Sequence, residues 1–416
     1  MNDERYARIQ LALTPYIGAE AFAALTEYYG SAAAALDAPV DAVRTLVRQG
    51  RAAAAVWTDR GKARAAADAA LQWAERPGCR LLLSSDSDYP AMLGEGITPP
   101  PLLFARGDLS LLHRPAAAIV GSRHATPQAV RIARDFGRDL SSRGITVVSG
   151  MAAGIDTAAH SGALEGSGRT VAVWGTGIDR VYPPANRDLA HRIAEEGLLL
   201  SEFPLGTRPL AGNFPRRNRI IAALAQAVLV VEAALESGSL ITARLAAEIG
   251  REVMAVPGSI DNPHSKGCHK LIKEGAKLVE CSADILAECP LLAAADRASE
   301  SVRRNTARAA AHGQPEKNRK RRPAASALPA PDLPVPSDAP AADGQSAVPS
   351  YSAAPPSDQP PADDPLLQQM GYDPVHPDAL AEALGLPAGR VYEQLLEWEL
   401  AGMVAAASGG RYQRVG

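Results

Sequence analysis

The chain has 416 residues, a formal net charge of −3 and four scattered cysteines, Cys79, Cys268, Cys281 and Cys289. That length calls for two or three domains, and the near-neutral charge excludes a wholly basic coat protein, so any nucleic-acid site must be a local patch. With no Cys-x-x-Cys pair, no signal-peptide core and no apolar run able to span a bilayer, a soluble cytoplasmic protein with no membrane partner is expected.

Residues 1–80 are rich in Ala and Leu at helical spacing, punctuated by Gly18 and Gly30, and predict a small helical domain. The Pro15-Tyr16-Ile17-Gly18 turn is similar to a helix-hairpin-helix loop but has no neighbouring Lys or Arg, so an ordinary interhelical turn is the preferred reading. From Leu81 to about Leu112 the prolines forbid a long helix. An extended connector is expected there, ending in a strand in the run Leu102–Gly107.

The segment 81–288 alternates apolar strands with amphipathic helices. Strands are predicted at Ala117–Val120, Ile145–Val148, Val171–Trp174, Leu198–Ser201, Val228–Val231, Glu252–Val256 and Lys277–Glu280, with helices such as Pro127–Ser142 and Leu240–Ile249 between them. Unbroken apolar strands alternating with helices indicate an α/β domain, a mostly parallel sheet with helices on both faces. Residues 289–362 are dominated by Ala, Pro, Ser and Asp and predict a disordered linker holding one basic run, Lys317–Arg322. Residues 363–416 regain helical periodicity and end in a possible hairpin at Gly409-Gly410, the pattern of a winged helix-turn-helix.

In an open parallel sheet, ligands bind at the carboxyl ends of the strands. Those ends read Gly121-Ser122-Arg123, Ser149-Gly150-Met151-Ala152-Ala153-Gly154, Gly175-Thr176-Gly177, Ser201-Glu202, Glu232 followed by Ser237-Gly238-Ser239, and Val256-Pro257-Gly258. Small residues there let backbone amides approach a bulky anion. The first turn is not Gly-x-Gly-x-x-Gly, the second strand lacks a ribose-binding acid, and no P-loop is present, so no cofactor is assigned. Asp156 and His160 lie four apart on a predicted helix without a matched metal-ligand set, and their expected role is to hold the 149–154 loop. No nucleophile is singled out for catalysis.

Between Phe214 and Arg219 the chain reads Phe-Pro-Arg-Arg-Asn-Arg where a loop becomes a helix. Arginine forks suit phosphate oxygens and the ring suits a base, while a surface patch paired with carboxylates is the plain alternative. On this segment alone both readings stand.

Taken in order, Gly121-Ser122-Arg123, Ser149-Gly150…Gly154-Ile155-Asp156…His160, Gly175-Thr176-Gly177, Phe214-Pro215-Arg216-Arg217-Asn218-Arg219-Ile220-Ile221, Glu232, Ser237-Gly238-Ser239-Leu240 and Val256-Pro257-Gly258 closely resemble the DNA-processing protein A family (DprA, also called Smf) across roughly 81–288. The resemblance implies an extended Rossmann-like fold with an N-terminal helical domain and a C-terminal winged helix. It also implies single-stranded DNA binding, loading of RecA in natural transformation or recombination, no enzymatic activity, and a homodimer in contact near His269, Leu271 and Ile272. One departure is Ala153, where many relatives carry a long side chain.

The expected site follows from both readings. Arg123 and the arginines Arg216, Arg217 and Arg219 grip phosphates, amides of Gly121, Ser122, Gly150 and Gly154 cradle a nucleotide, and Phe214 stacks on a base. Arg216 and Arg219 share one side of the helix start while Arg217 points elsewhere. Asn218 secures the loop backbone, and Glu232 anchors Arg219. A nucleotide hydrolase using Glu232 and the 237–239 loop is the second reading. The tail from Asp364 carries seven acids against three arginines, so it is expected to contact protein rather than duplex DNA.

Overall fold

A computed structural model describes residues 3–312, 364–370, 373–400, 403–407 and 411–414. A nine-stranded sheet organises the centre. Its strands are β1 (Cys79–Leu83), β2 (Leu102–Gly107), β3 (Ala116–Val120), β4 (Thr146–Ser149), β5 (Thr170–Trp174), β6 (Leu198–Ser201), β7 (Ala227–Val230), β8 (Glu252–Ala255) and β9 (Lys277–Leu278). They lie in the order β1-β2-β6-β5-β4-β3-β7-β8-β9. From β6 to β9 every pairing is parallel, whereas β1–β2 and β2–β6 are antiparallel.

Side-chain alternation divides the core between the two faces, because successive residues of a strand point to opposite sides. Ala118 and Val120 of β3 and Val171 and Val173 of β5 pack toward Ile220 and Ile221 of helix Asn213–Ala223 and Ala243 and Ala246 of helix Gly238–Glu248. Ala117 and Ile119 face helices Pro127–Ser142 and Ile155–Ala163. Ala172 and Leu199 face helices Arg187–Glu196 and Gly61–Ala74. Burying both faces is what makes these strands read as continuous apolar runs.

The seven parallel strands lie within a residue or two of their expected places. The 81–112 stretch is more regular than expected: Leu81-Leu82-Leu83 sits in β1, paired register for register with β2. The two strands are separated by a proline-rich excursion that hid their pairing. Residues 3–74 form six helices, with their own apolar cluster around Leu11, Phe22, Leu25 and Trp57. The Pro15–Gly18 turn joins the first two of them, with Tyr16 at φ 67°.

A correction concerns the linker. Residues expected to be disordered from 289 onward begin with helix Pro290–His312. Between Pro290 and Pro315 no proline intervenes, and Ala and Arg are strong helix formers. Leu292 is fully buried against the sheet domain, and Asp296 pairs with Arg143 at 3.2 Å. The rest of the expected linker, 313–362 with its run Lys317–Arg322, lies outside the described residues. The tail has helices Pro365–Met370, Pro377–Leu384 and Ala388–Leu400 and an antiparallel pair, Val404–Ala407 with Arg411–Arg414. Gly409-Gly410 falls outside the described residues. Among the described residues no helix is long and apolar enough to cross a membrane.

Candidate nucleic-acid interface

The carboxyl ends of β3, β4 and β5 and the start of helix Asn213–Ala223 enclose a pocket of about 310 Å³. Its wall includes Arg123, Gly150, Gly175, Phe214 and Arg217, all expected from the sequence. Also in the wall are His124, Met151–Ala153, Trp174, Thr176, Tyr182 and Pro183, which were not assigned. At the mouth, the exposed Arg123 guanidinium lies over the Phe214 ring, 5.1 Å from its centroid. Tyr182 approaches the same ring at 5.7 Å. Gly175 is required beneath it, since a β-carbon there would come within 2.9 Å of Phe214. An arginine over an aromatic ring presents positive charge and a flat surface together, which suits a phosphate with its base.

The loop between β4 and helix Ile155–Ala163 is held from beneath. The buried Asp156 carboxylate accepts from Gly150 N at 3.1 Å and Ala152 N at 3.3 Å. Burial raises its pKa against the pull of Arg217 and those amides. His160 Nε2 accepts from Met151 N, while Nδ1 lies 2.7 Å from Thr170 Oγ1. Thr170 Oγ1 itself donates to Val147 O, so the proton of the neutral imidazole is on Nδ1. Complete burial holds the His160 pKa down to about 3. Asn186 Nδ2 donates to Met151 O and Thr157 Oγ1 to Ala152 O, completing the support.

Several expected contacts are redirected. Ser122 N donates to Glu232 O at 2.8 Å, and Gly150 N is taken by Asp156, so neither amide is left for a ligand. Ser149 is buried and donates to Ile119 O. Gly121 and Gly154 serve close packing: a β-carbon at 121 would meet Ile155 and Glu232 O, and Gly154 (φ 76°) sits against Ser122 O. Ser237 and Ser239 pair their hydroxyls at 2.7 Å and stand outside the pocket wall with Gly238, whose carbonyl accepts from Asn218 Nδ2 at 3.3 Å.

The three arginines of the helix start have three different environments. Arg216 is exposed, with its guanidinium over Phe203, 5.3 Å from the centroid. Arg217 is buried and donates to Gly150 O and Val173 O, so it forms the pocket floor rather than an outward grip. Desolvation pulls its pKa down to about 10, which leaves it charged at neutral pH. Arg219 is mostly covered, paired with Glu202 at 2.5 Å and donating to Thr98 O at 3.0 Å.

Glu232 does not anchor Arg219. It accepts from Thr126 N and Oγ1 at 3.1 and 2.8 Å, and it is also bonded by Asn262. The chain crosses from β6 to β7 through the whole of helix Asn213–Ala223, so residues 219 and 232 belong to different strand ends. Glu232 fills the crevice between β3 and β7, where strand order reverses and doubly wound folds usually hold a dinucleotide. His269 bonds Gly258 O at 2.9 Å, and Leu271 and Ile272 are partly buried against the core. Among the described residues no group of three His, Cys, Asp or Glu side chains is placed to hold a metal ion.

A mostly parallel sheet covered on both faces, with a cationic and aromatic pocket at its strand ends, defines a protein of Rossmann-like fold. The family model for DNA recombination-mediator protein A matches residues 80–290, with a DprA-like N-terminal HHH domain at 2–69 and a DprA winged helix domain at 350–410. Protein Smf of Escherichia coli K12 is 39% identical over 344 residues, 82% of this chain and 79% of that protein. DNA processing protein DprA of Streptococcus pneumoniae is 49% identical over 203 residues, covering 49% of this chain and 72% of that one. The chain spans 56% of the length of a Synechocystis Smf protein to which it is 46% identical over 227 residues. The X-ray structure of DprA from Streptococcus pneumoniae aligns with a TM-score of 0.59 and 37% identity, over 70% of this chain and 98% of that chain. The chain belongs to the DprA/Smf family of DNA recombination-mediator proteins.

Proposed function

We infer that this protein binds single-stranded DNA at the pocket over β3–β5 and promotes loading of RecA onto it during recombination or natural transformation. The observation that carries the reading is the meeting of Arg123, Phe214 and Arg217 at one pocket. Arg123 contacts phosphate at the mouth, the charged floor of Arg217 raises the local potential, and Phe214 with Tyr182 gives the flat surfaces that bases need. A duplex keeps its bases stacked inside and cannot offer them to such a pocket.

The protein acts as a binding protein rather than a catalyst, and as a homodimer using the surface near His269, Leu271 and Ile272. The acidic winged-helix tail contacts protein. Duplex reading by its helix Ala388–Leu400 is disfavoured, because three acids in that helix, Glu393, Glu397 and Glu399, outnumber its single arginine, Arg390. The function is tested by RecA filament assembly on DNA already coated with a single-strand-binding protein. Faster assembly in the presence of this chain is expected, and no change would refute the loading role.

A further inference from the structure

The Arg216–Phe203 pair lies outside the pocket wall. It repeats the arrangement at the pocket mouth. In both places a guanidinium lies over a phenylalanine ring, at 5.1 Å for Arg123 on Phe214 and 5.3 Å for Arg216 on Phe203. Phe214 and Arg216 are two residues apart on the first turn of one helix, so they project about 200° apart around its axis. The two pairs therefore flank the helix start. The first lies over the ends of β3–β5, the second over the end of the adjacent strand β6.

The second pair is firmly mounted. Phe203 is buried, and its amide donates to Ser201 Oγ at 3.0 Å, which in turn donates to Thr176 O at 2.6 Å. Its neighbour Glu202 is held by the ion pair with Arg219. Arg216 is exposed and has no carboxylate partner among the described residues. A guanidinium seated on a fixed ring has lost much of its conformational freedom and still offers its outer face. Planar arginine faces of this kind stack on unpaired bases. The positive end of the helix between the pairs favours a phosphate crossing it.

We propose that Arg216, backed by Phe203, is a second nucleotide subsite, on which a base of the strand leaving the pocket stacks. The strand then runs along the carboxyl edge of the sheet from β4–β5 toward β6 and crosses the start of helix Asn213–Ala223. Arg219 acts here as a positioning residue, through Glu202. This proposal rests on the single-strand reading above.

The test separates a stacking platform from a simple phosphate contact. Affinities of wild type and Arg216→Lys for a thymidine oligonucleotide, and for the same length carrying abasic sites throughout, are measured by fluorescence anisotropy over a salt series. Lysine keeps the charge but has no plane. The expected result is about tenfold weaker binding of the thymidine oligonucleotide by Arg216→Lys, an unchanged salt slope, and no difference between the proteins on the abasic strand. Phe203→Leu, which leaves Arg216 unsupported, should lose a similar factor on the base-bearing strand alone. Equal affinities of wild type and Arg216→Lys for the thymidine oligonucleotide would overturn the subsite while leaving single-strand binding intact. No binding of either oligonucleotide by wild type would overturn both readings.

Discussion

The guanidinium of Arg217 occupies the space that a β-carbon on residue 150 would need, so Gly150 and the buried arginine are matched to one another. Glycine here makes room for a charge beneath the loop, and the same arginine fastens that loop through Gly150 O. Val173 O, at the end of β5, receives its other bond. One side chain thus ties β4, β5 and helix Asn213–Ala223 together under the pocket.

Gly150→Ala should displace Arg217 from this position. The new methyl group meets the buried guanidinium, and a shift of that group toward the pocket breaks its bonds to Gly150 O and Val173 O, so a loss of about 1–3 kcal/mol in stability is expected. Single-strand affinity should fall as well, because the pocket floor moves. Thermal melting and anisotropy check both, and a variant with wild-type melting and affinity would show that the floor yields without cost.

Arg219→Ala should lower stability more than its share of DNA binding. It leaves Glu202, only 6% exposed in its side chain, without its cation, at an expected cost of about 2–3 kcal/mol. The salt slope of single-strand binding should not change, since Arg219 neutralises a carboxylate rather than a phosphate. A slope reduced by the share of one phosphate, with melting unaffected, would reverse that assignment.

His160 gives a pH dependence with a definite sign. Its pKa falls from 6.5 when exposed to about 3 in the fold, so the unfolded chain binds the extra proton between those values. Stability from this group is complete above pH 6.5 and is lost as pH falls toward 3, by about 2 kcal/mol at pH 5. Asp156 and Glu232, whose pKa values are raised by burial, act in the opposite sense. The comparison that isolates the histidine is melting temperature against pH for wild type and His160→Gln, where the variant should give the flatter curve between pH 7 and 5. Parallel curves would remove His160 from the account.

Much of the sheet was legible because strands buried on both faces are unbroken apolar runs, as in Val171–Trp174 and Leu198–Ser201. Pairing of β1 with β2 was hidden by the proline-rich segment between them. Helix Pro290–His312 was missed because overall composition counted its Ala residues with the prolines that follow, although no proline lies between positions 290 and 315. Helical phase correctly separated Arg217 from Arg216 and Arg219, which both turn toward Glu202-Phe203. Depth and partners were not legible: nothing local shows that Glu202 rather than Glu232 answers Arg219. Tyr182 and Trp174 reach the pocket from a loop and from a strand end whose glycines drew the attention.

The helix following the sheet domain also sets where the chain can be cut. Ending it after His312 should leave melting and single-strand affinity close to those of the full chain. Ending it after Glu288 removes Cys289 and Leu292 from the core and the Arg143–Asp296 pair, and should cost about 2–4 kcal/mol. Equal melting temperatures for the two truncations would show that the helix adds nothing to the domain.

The central claim is that Arg123 and Phe214 form the mouth of a single-strand grip. It is tested most directly by the salt dependence of single-stranded DNA affinity for wild type and a folded Arg123→Ala variant. The account predicts weaker binding by the variant and a log–log slope shallower by about 0.7, the share of one phosphate on a single strand. Superimposable affinities and slopes would contradict it.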